Sequence, residues 1–151
     1  MFWLPTETEW ERAARGNQEG QRFPWHSTDP DLWVDIDSTR ANYWSNGTSA
    51  GSTNTHHLTP VGYFSDTPNA LGLFDMAGNV YEWCWDGYRF EGYSDPDAAL
   101  PGYTGPTDTM TRVVRGGAWS DPADLLRIAH RSSAVPQAAL PFIGFRCVRN
   151  F

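Results

Sequence analysis

The sequence predicts an α+β fold that is rich in loops, with one clear N-terminal helix and short antiparallel strands. Aromatic residues are abundant (8 Trp, 8 Phe and 6 Tyr), which supplies bulky side chains for a core. The 14 Gly and 11 Pro interrupt the chain at short intervals, so long helices are not expected. A length of 151 residues fits a single domain, residues 1–151, around one core.

The one helix signal lies near the N-terminus. Thr6 and Glu9 form a capping box, which predicts where the helix begins, and Gly16 predicts its end. Glu11 and Arg15 are spaced as an i,i+4 ion pair on its outer side. The opposite side carries three apolar residues at helical spacing, Trp10, Ala13 and Ala14. The pattern therefore predicts an amphipathic helix that covers part of the core.

The rest of the chain alternates between loops and short strands. Residues 17–72 are rich in turn-forming types, which predicts long ordered loops whose aromatic side chains enter the core. Residues 80–88 alternate, with Val80, Glu82, Cys84 and Asp86 on one face and a buried aromatic face on the other, Tyr81, Trp83 and Trp85. Further strands are predicted at residues 112–119, 126–131 and 143–149. Turns separate them, so we expect a small antiparallel sheet.

Charge and apolar content exclude two classes of partner. The formal net charge is −7 and all 11 basic residues are Arg, so an acidic surface that repels nucleic acid is expected. The apolar runs are too short for a membrane span, and no signal peptide is recognisable, which leaves the compartment open. Cys84 and Cys147 are consistent with one disulfide or with two buried free thiols.

Four segments of the sequence resemble the formylglycine-generating-enzyme (sulfatase-modifying-factor) family. They are LPTETEWERAARG at 4–16, GLFDMAGNVYEW at 72–83, RVVRGGAW at 112–119 and IGFRC at 143–147. The resemblance implies a C-type-lectin-like fold. Domains of this family carry further strands before the LPTE helix, an N-terminal part that this chain lacks. The chain is therefore expected to be a C-terminal fragment of such a domain, or a shortened member in which something else covers the exposed edge.

One motif has the composition of a calcium site. Asp75, Gly78, Val80 and Glu82 are spaced i, i+3, i+5 and i+7, so a tight turn would bring two carboxylates and two carbonyls together. In the resembling family these positions bind calcium. From spacing alone the alternative is favoured, in which Asp75 caps a turn and Glu82 pairs with an arginine. The family match reverses that preference, and we expect a structural Ca²⁺.

A second calcium site is implied by the resemblance at Asn42 and Tyr43. It would use the Asn42 side chain and the next backbone carbonyl. Its other ligands would come from residues 53–55, where the aspartate of the family is missing.

The resemblance argues against the oxidase chemistry of the family. Formylglycine-generating enzymes bind copper(I) through two cysteines shortly after the GGSW-like strand, and thiolates suit that ion. Here residues 119–126 read WSDPADLL and contain no cysteine. The family partner of Cys147 is replaced by Ala14, so a free Cys147 and no copper are expected. A triad of Ser120, His130 and Asp121 lacks any motif, and the other histidines, at 26, 56 and 57, lack ligand spacing. No catalytic residue is assigned.

The C-terminal loops are the predicted ligand-binding surface, because they face ligands in C-type-lectin-like folds. The candidate residues are Trp119, Ser120, Asp121, Asp124, Leu125, His130 and Phe142. A protein, a small molecule or a carbohydrate would bind there, a carbohydrate by stacking on Trp119. Variable proteins of diversity-generating retroelements, which also contain this domain, carry randomised residues in this region. A more specific hypothesis is therefore that this chain is such a variable protein. The alternative is an enzyme with different, non-cysteine chemistry, which perturbed titratable groups beside Asp121, Asp124 and His130 would favour.

Overall fold

A computed structural model describes residues 1–25, 36–45, 48–50, 58–100 and 102–149. These residues form a mixed α+β structure with one α-helix, α1 (Glu7–Arg15). The strands are β1 (Phe2–Trp3), β2 (Tyr43–Ser45), β3 (Thr48–Ala50), β4 (Tyr81–Gly87), β5 (Arg112–Arg115), β6 (Ser132–Ala134), β7 (Ile143–Gly144) and β8 (Val148–Arg149). Short 3₁₀ turns lie at Gly92–Ser94, Pro96–Ala99 and Ala123–Leu126. In the described part of the chain no helix is long and apolar enough to cross a bilayer.

The predicted helix is confirmed at both ends. The Thr6 hydroxyl accepts from the Glu9 N–H while the Glu9 carboxylate accepts from the Thr6 N–H, so the capping box is complete. Gly16 ends α1 with a φ of 64°, a conformation that favours glycine. Arg15 donates to Glu11 at 2.8 Å on the outer side. The apolar side, with Trp10 and Ala14, is buried against the central sheet.

The central sheet has the order β6-β5-β4-β7 and is mixed. β5 runs antiparallel to β4 and to β6, but β7 is parallel to β4, which corrects the expectation of a purely antiparallel sheet. The strand predicted at 126–131 is wrong as well. Ile128 donates its N–H to the Arg22 carbonyl, and its own carbonyl accepts from the Arg115 side chain, so its backbone is not free to join a ladder.

Two further small ladders lie outside the central sheet. β1 pairs with β8, which places Phe2 opposite Arg149 near the two ends of the chain. The strand predicted at 143–149 is therefore split into β7, in the central sheet, and β8, outside it. β2 pairs with β3, and its Trp44 also bridges to Pro122. The strand predicted at 112–119 ends at Arg115, since Gly116 and Gly117 both take positive φ.

Both faces of β4 are largely buried. On the predicted aromatic face Tyr81 is buried and Trp83 packs against the same core cluster, so the prediction fails there only for Trp85. The polar face is buried as well, which the sequence did not predict. Glu82, Cys84 and Asp86 are at most 6% exposed, whereas Trp85 on the aromatic face is 50% exposed. Helix α1 packs on the polar face and supplies its donors. The Trp10 indole N–H donates to Glu82 at 2.6 Å, and the backbone N–H of Glu7 donates to Asp86 at 2.7 Å. Alternation alone could not show that the polar face is buried, because polar groups are buried where partners exist.

Candidate functional site

The turn between residues 75 and 80 connects the regions that the sequence analysis singled out. Asp75, Gly78 and Asn79 all have positive φ values, between 57° and 79°, so the backbone turns tightly here. The N–H of Gly78 donates to the Gly116 carbonyl at 2.9 Å. The N–H of Trp119 donates to the Asn79 carbonyl at 3.0 Å. The turn is therefore bonded to the segment that begins the predicted ligand-binding surface.

The structure also brings Asn42 to this turn. The N–H of Asn79 donates to the Asn42 carbonyl at 2.8 Å, and the Asn42 amide donates to the Asn79 side chain at 3.3 Å. A Cβ at Gly78 would lie 2.4 Å from the Asn42 carbonyl oxygen, so only glycine permits this approach. Residues from both predicted calcium sites, with Tyr43 beginning β2, thus lie side by side. Residues 53–55, 26 and 56–57 fall outside the described residues.

The two carboxylates of the predicted first calcium site have protein donors. Glu82 accepts from the Arg146 guanidinium through both oxygens, at 2.5 and 2.6 Å, and from the Trp10 indole. The Asp75 carboxylate accepts from the Gly62 N–H at 2.8 Å. The backbone carbonyl of Asp75 accepts from the Arg146 guanidinium at 3.1 Å. This is the arginine pairing that spacing alone favoured.

Calcium would have to share Glu82 with a guanidinium. A carboxylate has about four lone-pair sites, and three donors from Arg146 and Trp10 already use most of them. As they stand, these side chains fit an arginine better than a cation. No group of three or more His, Cys, Asp or Glu side chains suited to a metal occurs among the described residues. The proposed ligands at Gly78 and Val80 are backbone carbonyls, which do not count among such side chains. The calcium site therefore stays a prediction.

Asp121 supports its own loop and lies near Tyr81. Its carboxylate accepts from the Ala118 N–H at 3.1 Å, and its carbonyl accepts from the Trp44 N–H at 2.8 Å. The Tyr81 hydroxyl lies near the Asp121 carboxylate and the Ser132 side chain. Burial, followed by the nearby Asp121 carboxylate, raises the pKa of Tyr81. Tyr81 is therefore a neutral phenol at the base of this loop, and the sequence analysis did not assign it.

The outward part of the predicted surface is the loop of residues 119–125. Ser120 is exposed, and Trp119 and Leu125 are half-buried. The Asp124 side chain is 76% exposed and lies 3.4 Å from Arg22. The 3₁₀ turn Ala123–Leu126 presents these residues, because Leu126 next to them is completely buried and anchors the turn. This loop is the part of the candidate set that a partner can reach.

Phe142 and His130 have partners within the fold. Phe142 packs against the cluster of Tyr81, Val114 and Ala118, and its carbonyl accepts from the Tyr81 N–H at 2.9 Å. The carbonyl of His130 accepts from Arg115 at 2.7 Å. Burial, followed by the charges of Arg127 and Arg115, lowers the pKa of the His130 imidazole. The seven predicted ligand residues thus divide into an outward loop and inward supports.

A buried charge cluster under helix α1 escaped the sequence analysis. Glu7 accepts from Arg131 at 2.6 and 2.7 Å and lies 3.5 Å from Arg115. Arg115, with no exposed side-chain surface, also pairs with Glu11 and donates to the Ile128 and His130 carbonyls. In the sequence, the only sign of this cluster is the number of charged residues in the two motifs at 4–16 and 112–119. The sequence does not show which of these charges pair with one another.

The carboxyl of Asp86 lies beside this charge cluster. Burial, followed by the negative charges of Glu7 and Glu9, outweighs its backbone hydrogen bonds and raises the pKa of Asp86 to about 6.

The two cysteines are both free thiols and lie in different environments. Cys84 is buried in β4, and desolvation is the main cause that raises its pKa. Cys147 is free as expected, but it is exposed, which corrects the alternative of two buried thiols. It follows the Arg146 that is drawn inward to Glu82, so the next side chain points outward.

Comparison with protein-family models gives a match over residues 2–151, to the sulfatase-modifying factor enzyme 1-like domain. Among curated proteins, serine/threonine-protein kinase Pkn1 of Chlamydia trachomatis is 41% identical over 97% of this chain, which covers 21% of that protein. The formylglycine-generating enzyme of Streptomyces coelicolor is 35% identical, with 97% of this chain and 46% of the enzyme covered. The inactive Cα-formylglycine-generating enzyme 2 of Mus musculus is 34% identical, with 97% and 42% covered.

Among solved structures, Treponema denticola variable protein 1 matches with a TM-score of 0.70 and 33% identity. The match covers 97% of this chain and 46% of that one. The chain thus spans about a fifth to a half of the length of these relatives.

Proposed function

Because the chain belongs to the sulfatase-modifying factor enzyme 1-like domain family, we propose that it is a non-catalytic member that binds a protein or small-molecule ligand through the loop of residues 119–125. The proposal includes a C-type-lectin-like classification of the fold and calcium as a structural ion. Domains of this family include both active and inactive proteins, so the family alone does not decide between them.

The observation that carries the proposal is the chemistry of the 119–126 segment. It contains no cysteine, and Asp121 in it is bound to its own loop. Cys84, in β4, is buried and has a raised pKa, which disfavours the thiolate that copper requires. Cys147 lies in the IGFRC segment, outside the loop. A two-thiolate copper site therefore has no ligands in this loop.

Exposure favours binding by the same loop. Ser120 and Asp124 are exposed on a short turn that Leu126 anchors, so changes in these side chains leave the core untouched. A rigid scaffold with exchangeable loop residues is the arrangement of a recognition surface. We extend the proposal to a variable protein of a retroelement, and the likeness to Treponema denticola variable protein 1 supports that extension.

Two assays test the proposal together. Supplied with copper(I), oxygen and a cysteine-containing peptide, the chain should produce no formylglycine, whereas the Streptomyces coelicolor enzyme serves as a positive control. Against a displayed random-peptide library and a glycan array, the wild-type chain should select binders that the Trp119→Ala variant fails to retain. Formylglycine production, or selected peptide binders that all ignore every substitution in 119–125, would contradict the proposal.

The second candidate is an enzyme with non-cysteine chemistry, and the Tyr81–Asp121–Ser132 contact is the observation in its favour. A carboxylate close to a phenol beside an exposed loop is an arrangement that could hold a polar substrate. The raised pKa of Tyr81 and the lowered pKa of His130 both favour the neutral side chains. Burial is the main cause of both shifts, so they do not by themselves indicate catalysis. Tyr81→Phe and Asp121→Asn variants separate the candidates, since binding by the outer loop should survive Tyr81→Phe.

A further inference from the structure

We propose a second binding site, specific for a saccharide, in a cleft beside the exposed indole of Trp85. The cleft has a volume of about 200 Å³, and its walls come from the ends of β4 and β5 and from the loop of residues 104–109. Its main lining residues are Trp85, Thr104, Thr107, Thr109, Arg112 and Pro136. None of the seven ligand residues predicted from the sequence lines it, so this proposal does not rest on the proposed function.

Trp85 is presented in a fixed orientation. Its backbone N–H donates to the Pro5 carbonyl at 2.9 Å, and its carbonyl accepts from the Arg112 guanidinium. That guanidinium also lies 5.2 Å from the centre of the Trp85 ring, at cation–π distance. The side chain nevertheless stays 50% exposed. A large aromatic that is held firmly and left half in solvent is preorganised for contact with a ligand.

The loop 104–109 closes the cleft tightly against the strand. A Cβ on Gly87 would lie 2.1 Å from the Pro106 carbonyl oxygen and 2.4 Å from the Thr109 hydroxyl, so only glycine permits this contact. The Thr109 hydroxyl donates to the Thr111 carbonyl at 3.1 Å, so its oxygen can still accept a hydrogen bond from a ligand. The loop is therefore a built wall whose hydroxyl groups lie next to the indole.

The chemistry of the lining favours a sugar. The ring of a hexose has a face of C–H groups that packs on an indole, and a rim of hydroxyls that exchange hydrogen bonds with threonines and a guanidinium. Its size suits one sugar unit, because pockets for drug-sized ligands are about 300–1,000 Å³. A proline-rich peptide also binds aromatic grooves, but it needs a longer groove and gains little from three threonine hydroxyls.

The test follows each tryptophan separately during a titration. The 151-residue chain is labelled with 5-fluorotryptophan, and the Trp85 resonance is identified by its loss in the Trp85→Ala variant. Methyl β-D-glucopyranoside, methyl β-D-galactopyranoside and methyl α-D-mannopyranoside are then added to millimolar concentration. At least one should move the Trp85 ¹⁹F resonance saturably and leave the Trp119 resonance in place. We expect Trp85→Ala and Arg112→Gln to weaken binding of that glycoside at least about tenfold by titration calorimetry.

Matched variants keep the result decisive. Phe90→Ala removes an exposed aromatic that lies in neither predicted binding surface and should bind the glycoside with unchanged affinity. Trp85→Phe retains an aromatic face, and it should bind more tightly than Trp85→Ala if both fold with similar amide spectra. No saturable shift of Trp85 with any of the three glycosides would overturn the proposal. A Trp85 shift caused by a proline-rich decapeptide and not by the sugars would also overturn it, in favour of a peptide groove.

Discussion

The charge cluster under helix α1 and the loop of residues 119–125 differ in how their charged groups meet solvent. Arg115, in the first, has no exposed side-chain surface and contacts the Glu7 and Glu11 carboxylates and two backbone carbonyls. Asp124, in the second, is 76% exposed and lies 3.4 Å from an arginine that is itself half-exposed. The first region carries its charges into the interior, and the second leaves them in water.

The difference separates stability from recognition in this molecule. A buried charge is tolerated only where partners compensate it, so each member of the cluster depends on the others. An exposed charge contributes little to folding, and its replacement leaves the scaffold intact. The cluster lies under the helix that spans the sheet, whereas the loop lies where a partner can reach it. We therefore expect substitutions in the two regions to have effects of very different size.

Removal of Arg115 should have the largest effect. Arg115→Ala removes the fully buried counter-charge that Glu7 and Glu11 share, leaving only Arg131 and Arg15 beside them, and takes the donor from two carbonyls, so unfolding should become easier by about 3–5 kcal/mol. Urea denaturation followed by circular dichroism measures the loss. Arg12→Ala, an exposed position on the same helix, is the matched control and should change stability by less than about 0.5 kcal/mol. Similar losses in the two variants would abolish the contrast between buried and exposed charge.

Calcium binding is predicted at the turn of residues 75–80. If the ion binds at Asp75, Gly78, Val80 and Glu82, excess calcium at about 100 times its Kd should stabilise the chain by roughly 2.7 kcal/mol relative to chelator. Because Asn79 of this turn accepts from Trp119, the ion would also stiffen the start of the loop. Thermal unfolding in calcium and in chelator measures the shift. The shift should vanish in Asp75→Asn, and a transition indifferent to calcium would leave Glu82 with its protein donors Arg146 and Trp10 alone.

Asp86 makes the stability contributed by the cluster depend on pH. Burial raises its pKa from 3.8 to about 6, so between these values the native state holds a proton that the unfolded state releases. Stability from this group is complete below pH 4 and is lost as the pH rises through 6, by about 1–3 kcal/mol in total.

Asp86→Asn isolates this group, because the amide oxygen still accepts from the Glu7 N–H. The difference in urea midpoint between variant and wild type should grow from pH 4 to pH 7 in favour of the variant. His130 acts in the opposite direction, since its lowered pKa makes stability rise with pH up to its ordinary value of 6.5, and it is present in both proteins. Parallel midpoint curves would show that Asp86 titrates normally.

The sequence predicts the parts of the fold that depend on neighbouring residues, but not those that depend on contacts between distant segments. Helix α1 follows from local signals, since the capping box of Thr6 and Glu9 and the apolar spacing of Trp10 lie within a few residues. The burial of the polar face of β4 does not, because the donors to Glu82 and Asp86 on helix α1 lie 72 and 79 residues away in sequence. Alternation gives two faces but no sign of which one a distant helix covers.

The candidate site shows the same limit. Residues 119–125 were identified through a family resemblance, and their role in binding stays a prediction. Tyr81 was missed because its partner Asp121 lies on another segment, 40 positions later by residue number. Trp85 was expected in the core, since a tryptophan at an alternating strand position usually is. Its exposure depends on the 104–109 loop, which packs beside Gly87 without covering the indole.

Asp124 should give the smallest effect on stability and so completes the comparison. Its ion pair with Arg22 is exposed on both sides, and such pairs contribute about 0–1 kcal/mol. Asp124→Ala should therefore shift the free energy of unfolding by less than about 0.5 kcal/mol in urea denaturation, while it weakens any binder selected on the 119–125 loop. Arg22→Ala is the paired control, because it breaks the same contact from outside the loop. A loss of 2 kcal/mol or more in Asp124→Ala alone, on the order of a buried group, would mean that the loop belongs to the folded core and that its residues are not free to vary.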